Sequence, residues 1–165
     1  MANPRIGIPV SLPQGATYDL DLMQFNQSKF PVGPITFSAG TSPRKSTGIQ
    51  KLCQIYLKCL LTPLGSSLLN PNYGTDFVPA FVGSNRPFAT EAQAATYVSG
   101  FINQATQQVK VLTSGNDPAT TLQSATLQAL TVTYDSLNLV IYLLSAAGVG
   151  ASIAVPQPQL SMVTV

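Results

Sequence analysis

No histidine occurs anywhere in the chain, which removes the commonest general base and the commonest metal ligand from its chemistry. A Ser-His-Asp or Cys-His nucleophilic site is therefore excluded for this chain acting alone. Carboxylates are nearly as scarce: Glu91 is the only glutamate, beside Asp19, Asp21, Asp76, Asp117 and Asp135. Hydrolysis of a glycosidic bond generally takes two carboxyl groups facing one sugar linkage, one of them with a raised pKa. Glu91 falls at an expected helix start, and Asp19 and Asp21 share one face of an expected short strand with no cleft beside it. The glycines fit no phosphate-cradling pattern and no spacing suggests oxygen ligands for a metal. No catalytic residue, metal site or cofactor is expected.

Charge of either sign is also in short supply, at 8% of residues against about a quarter in an ordinary soluble domain. A free monomer relies on charge for solubility, so a surface this neutral points to coverage by partner proteins. The basic residues Arg5, Lys29, Arg44, Lys45, Lys51, Lys58, Arg86 and Lys110 are scattered, and the net charge is only +2. With no basic stripe, binding to nucleic acid through phosphate neutralisation is not expected. Long apolar runs are missing too: the longest, residues 137–144, is interrupted by Asn138 and cannot span a membrane. The opening MANPRIGIPVSLP lacks the apolar core of a signal peptide. Only two cysteines are present, Cys53 and Cys59. Their spacing separates them by about 240° around a helix, so they neither pair nor chelate together. They read as reduced, partly buried thiols, which fits assembly in a cytoplasm.

What is present suits one α+β domain, with enough length to bury a core. We expect an extended N-terminal arm over residues 1–17, a single domain over 18–156 and an extended C-terminal tail over 157–165. Alternation of Tyr18, Leu20 and Leu22 with Asp19 and Asp21 predicts a short strand, and residues 35–37 another extended piece. A first helix is predicted over residues 44–61. Ile49, Leu52, Cys53, Tyr56, Leu57 and Leu60 would form its apolar face, and Lys51, Gln54 and Lys58 would point away, with Ile55 next to Cys59 on the polar side. Thr62-Pro63 should end it. Residues 64–87 read as irregular, yet they carry Leu68, Leu69, Tyr73, Phe77 and Phe81, so this loop should be pinned to a core or a neighbour.

A second helix should begin at the capping-box pattern Thr90–Gln93 and stop near Gly115, with Ala94, Tyr97, Val98, Phe101, Ile102, Ala105, Val109 and Leu112 in one arc. Residues 116–124 read as a polar loop, with a helical turn at Asp117-Pro118. Beyond it, Leu130, Val132 and Tyr134 alternate, residues 137–144 form a β-favouring run, and residues 152–155 a third strand before Pro156. The expected fold is α+β: two helices packed on an antiparallel β-meander, with extended N- and C-terminal arms.

Several segments together resemble the sheath-initiating baseplate protein of contractile phage tails, a family sometimes labelled lysozyme-like. They are the acidic-apolar strand Tyr18-Asp19-Leu20-Asp21-Leu22, the helix ending Leu60-Leu61-Thr62-Pro63-Leu64-Gly65, and the segment Asn70-Pro71-Asn72-Tyr73-Gly74-Thr75-Asp76-Phe77, followed by a long helix and a closing meander. The resemblance covers roughly residues 19–156 and implies a domain like the C-terminal domain of tail sheath proteins. It further implies that first-ring sheath subunits add strands to the sheet by β-augmentation. Implied partners are the tail sheath protein, baseplate wedge proteins and the tail tube or its initiator. Six copies per particle would sit in the virion tail baseplate, assembled in the host bacterial cytoplasm. For that exchange the expected residues are Leu137, Leu139, Ile141, Leu143, Ile153 and Val155. Two departures stand out. Gly65-Ser66-Ser67 replaces the family's Gly-Glu-Arg, and residues 112–118 lack its Glu-Pro-Arg docking motif, so no docking residue is transferred. A tail-terminator or tube-associated protein is the alternative reading, and a peptidoglycan-degrading muramidase the third.

Overall fold

The long helix forms where the sequence supplies its cap. Thr90 is extended (φ −130°, ψ 157°) and its side-chain oxygen accepts from the Gln93 N–H at 3.3 Å, opening a helix over Glu91–Thr113. The computed structural model describes residues 18–20, 23–24, 36–37, 45–81, 90–132 and 137–156. In chain order these form β1 (Tyr18–Leu20), β2 (Met23–Gln24), β3 (Thr36–Phe37), β4 (Lys45–Thr47), α1 (Gly48–Leu61), α2 (Phe77–Phe81), α3 (Glu91–Thr113), β5 (Leu122–Val132), β6 (Leu137–Ser145) and β7 (Gly150–Pro156). The class is α+β, with a three-stranded antiparallel sheet in the order β5-β6-β7 and two small strand pairs, β1 with β4 and β2 with β3. The expected arm 1–17, the tail 157–165, Asp21 and Asp135 lie outside the described residues.

Helix α1 begins four residues later than its periodicity predicts. Residues 45–47 are instead drawn into a ladder with β1, Tyr18 opposite Thr47 and Leu20 opposite Lys45. Gly48 makes the change of direction, at a φ of +54° that only glycine adopts readily. The Ser46 hydroxyl then donates to Gln54 Oε1 at 3.4 Å, so Gln54 is buried rather than turned outward. At the far end the prediction holds. Thr62 turns extended before Pro63, and both its N–H and its hydroxyl donate to the Lys58 carbonyl.

A third helix, the five-residue α2, lies inside the segment expected to be irregular. Pro79 sits within its first turn, where no intrahelical N–H is needed. In α3 the buried stripe is narrower than the apolar arc: Tyr97 and Leu112 are about half exposed, while Thr106 and Thr113 are buried. Their hydroxyls donate four residues back, to Ile102 O at 2.6 Å and Val109 O at 2.7 Å, so these polar groups enter the core already satisfied. The Tyr56 hydroxyl donates to the same Ile102 carbonyl at 3.2 Å and ties α1 to α3.

Strand β5 starts at Leu122, within the stretch expected to be a polar loop. Its outward residues Ser124, Thr126 and Thr131 are opposite Leu144, Tyr142 and Asn138, while Ala125, Leu127, Leu130 and Val132 face the core. That polar outer face hid the strand's first half. Between Leu127 and Ala129 the register shifts by one, placing Gln128 in a β-bulge. Helix α3 lies along β5, and α1 lies over β6 and β7. The core between them holds Leu52, Tyr56, Leu57, Leu60, Val98 and Val109 from the helices, and Leu139, Ile141, Leu143 and Ile153 from the sheet.

Candidate interaction surface

All six residues expected to mediate strand exchange are buried under the helices. Leu137, Leu139, Ile141 and Leu143 stand on β6, and Ile153 and Val155 on β7. Strand β6 is the middle of the sheet and pairs on both sides, so its four residues offer no free edge. Removing β6 for exchange would expose those side chains at about 1.5–3 kcal/mol each. The sum, roughly 6–12 kcal/mol, rivals the whole stability of a domain. The free edges belong to β5 and β7 instead, among the described residues. Ile153 and Val155 are thus on an edge strand, but their side chains belong to the core.

The groups that β7 leaves open follow from its hairpin. The Ser145 N–H donates to the Val149 carbonyl at 2.9 Å. In an antiparallel ladder the bonded pairs then recur at every second residue, at Leu143 with Ala151, Ile141 with Ile153 and Leu139 with Val155. The N–H and C=O groups of Gly150, Ser152 and Ala154 therefore point away from β6. Pro156, which has no N–H, falls at the same edge-facing phase and closes the row. The register between β6 and β7 is unbroken over its seven pairs, whereas β5 carries the Gln128 bulge, a device that bends an edge away from partners. Neither β5 nor β7 contains a charged residue to repel a partner strand. On the outer face the Tyr142 ring lies against Gly150, so closely that a Cβ there would overlap the phenol.

The family-like segment after α1 builds a clamped loop. Pro63 and Thr75 form a parallel bridge, with Leu64 N–H donating to Thr75 O at 3.1 Å and Thr75 N–H to Thr62 O at 2.9 Å. The Thr75 hydroxyl donates to Leu60 O at 2.7 Å and accepts from the Phe77 N–H at 3.2 Å. From α3, Gln108 closes the base: Gly74 N–H donates to its Oε1 at 2.9 Å, and its Nε2 donates to Gly74 O at 2.8 Å. Of the five apolar residues expected to be pinned, Phe77 is fully buried and Tyr73 half-buried. Leu68 and Leu69 are each 100% exposed, and Phe81's side chain lies outside the described residues.

That loop also explains Cys59, which the helical wheel places on the polar side. It is buried beneath the returning chain, its thiol donating to Gln108 Oε1 at 3.4 Å. Burial raises its pKa, opposed by the backbone of Gly74. Cys53 is pushed up to about 12 by burial, against a smaller lowering by its own backbone. Both thiols are free and protonated at neutral pH, the opposite of an activated nucleophile. Among the described residues no group of three His, Cys, Asp or Glu could hold a metal ion, and no helix is long and apolar enough to cross a membrane. Compared with protein-family models, curated proteins and solved structures, the chain matches none of them.

Proposed function

We propose that the protein is a structural component of a contractile tail baseplate. It starts the sheath by offering a sheet edge to the terminal strands of first-ring sheath subunits. The observation that carries this reading is the β7 edge: regular in register, uncharged, backed by α1, with the backbone groups of Gly150, Ser152 and Ala154 aimed outward. An exposed edge without charge is an aggregation hazard in a free protein, and a templating protein turns the same groups to use. Two further features accord with a building block: no histidine in the chain, and protonated, buried thiols. On this reading the protein is not an enzyme, and wedge and tube proteins are its other neighbours.

The test uses two proline variants and the sheath protein of the same tail. Ala154→Pro removes an edge donor that β6 does not use, and Ala125→Pro does the equivalent on β5. Sheath assembly on the initiator should fail with Ala154→Pro and persist with Ala125→Pro, both proteins remaining folded. Assembly unaffected by either variant would sink the strand-addition mechanism. A map of the particle with this chain at the capsid-proximal end would sink the baseplate assignment.

A further inference from the structure

Strand β7 has an open edge and a strand-like segment of its own chain directly behind it. The open groups are the N–H and C=O of Gly150, Ser152 and Ala154, which point away from β6. Beyond Pro156 the sequence runs Gln157-Pro158-Gln159 and then Leu160-Ser161-Met162-Val163-Thr164-Val165. Leu160 and Met162 flank Ser161, and Val163, Thr164 and Val165 are all β-branched, which is the composition of a strand. Residues 156–159 have the length of a hairpin connection, and the prolines at 156 and 158 mark it as a turn.

The phase of β7 sets the register such a hairpin would take. Val155 directs its backbone groups to Leu139, so a pair of Val155 with Leu160 across a four-residue connection is a non-bonded one. The bonded pairs are then Ala154 with Ser161, Ser152 with Val163 and Gly150 with Val165, which are the three residues of β7 whose groups stand open. Residues opposite each other share a face of the sheet. Leu160 and Met162 therefore fall on the helix side, beside Val155 and Ile153 of the core. A connection one residue shorter or longer would seat Ser161 there and turn both large apolar residues outward.

We infer that residues 160–165 form a fourth strand that closes the β7 edge of the same molecule. Ser161, Val163 and Val165 complete the backbone bonds of Ala154, Ser152 and Gly150, and Leu160 and Met162 extend the core. The tether decides for the same molecule over a second copy: a connection this short gives an effective concentration on the order of mM. The β5 edge is the poorer site, because it lies two strands away from the point where the chain leaves β7 and is bulged at Gln128. Covering an edge with a segment of the same chain is also how proteins keep it from pairing with others. One consequence rests on the proposed sheath role: the fourth strand is then a latch, which an incoming sheath strand has to displace before it can add to β7.

Amide hydrogen exchange on the full-length chain tests the pairing. The amides of Ser152 and Ala154 should exchange at least about 100-fold more slowly than unpaired amides. Val163→Pro deletes the N–H that faces Ser152 and should return both amides to the unpaired rate, while Thr164→Pro, whose N–H faces solvent in this register, should leave them protected. Unprotected amides in the wild type overturn the inference, and so does protection that Val163→Pro leaves intact. Protection that fades on tenfold dilution overturns it too, because the strand would then come from a second copy. The latch has its own readout, binding of the sheath protein of the same tail. Val163→Pro should bind it about 100-fold more tightly than the wild type, since the open edge is no longer a minor state. Equal binding by the two proteins would overturn the latch. Amides that behave as expected with no sheath binding by either protein would sink the sheath role and leave the fourth strand standing.

Discussion

The side-chain amide of Gln108 pairs with the peptide of Gly74 in both directions, accepting its N–H at 2.9 Å and donating to its carbonyl at 2.8 Å. A primary amide has the same donor and acceptor as a backbone peptide, so Gln108 acts as one residue of a strand supplied by a helix. It thereby satisfies both backbone groups of Gly74, and it fixes the return of a long loop onto the end of α1.

Replacing Gln108 by leucine keeps the volume and deletes both bonds to Gly74 together with the one accepted from the Cys59 thiol, leaving the Gly74 carbonyl without this partner under a side chain that excludes water. The cost should be about 1–3 kcal/mol for an unsatisfied buried group, read from urea unfolding. A loss under about 0.5 kcal/mol, the level of an unremarkable surface site, would mean the clamp contributes nothing to folding.

Gly74 and Gly65 both have positive φ, +106° and +78°, yet they should respond differently to alanine. At Gly65 a Cβ meets nothing within 4 Å, so only the conformational penalty applies, about 1 kcal/mol. At Gly74 the new Cβ would overlap the Thr62 carbonyl, a backbone atom locked by its bond from Thr75. Gly74→Ala should therefore cost clearly more than Gly65→Ala in the same unfolding experiment. Equal effects would show that the Thr62–Thr75 bridge yields freely.

The contrast between α3 and β4 says what the sequence could reveal. Thr90 and Gln93 are three residues apart, so the cap that starts α3 is written locally and was legible. The pairing of Ser46 with Asp19 joins residues far apart in the chain, and nothing near residue 46 announces it; periodicity therefore extends α1 backward across a strand. Strand β5 reads short in the sequence because its partner β6, not its own polar outer face, specifies it. In the meander the apolar alternation identified Leu139, Ile141 and Ile153 as important, but alternation reports which face is buried, not which backbone edge is open. The edge groups of Gly150, Ser152 and Ala154 depend on strand order and hairpin phase, which are three-dimensional facts. Leu68 and Leu69 read as apolar loop residues just as Phe77 does, and only the fold separates them from Phe77, which is buried.

Phe77 and Phe101 meet edge to face, ring centroids 6.0 Å apart at 78°. Phe77 is fully buried, whereas Phe101 is partly exposed although its helix position suggests core. Phe77→Ala should cost about 3–5 kcal/mol, the range for a buried aromatic. Phe101→Ala should cost less, and the double variant less than the sum of the two, by about 0.5–1.5 kcal/mol for an aromatic pair. Strict additivity in that cycle would rule out direct coupling between the rings.

Stability should fall on the alkaline side, and Cys53 should carry most of the early decline. In the unfolded chain a thiol ionises near about 8.5, while in the folded protein burial holds Cys53 protonated up to about 12. A folded pKa above the unfolded one stabilises fully below the unfolded value, and that contribution drains away as pH rises from there toward the folded value. Cys59 shifts in the same direction by burial. Tyr56 and Tyr73, pushed up to about 12 chiefly by burial, add their share only above their ordinary value of about 10. Each pH unit in the window is worth about 1.4 kcal/mol per group, so moving from pH 8 to 10.5 should lower the unfolding free energy by roughly 2–3 kcal/mol through Cys53 alone. Urea unfolding under reducing conditions at the two pH values measures it. Cys53→Ala should shrink the decline by about that amount, and adding Cys59→Ala should shrink it further. An alkaline decline as steep in the double variant as in the wild type would show that the thiols are not its source.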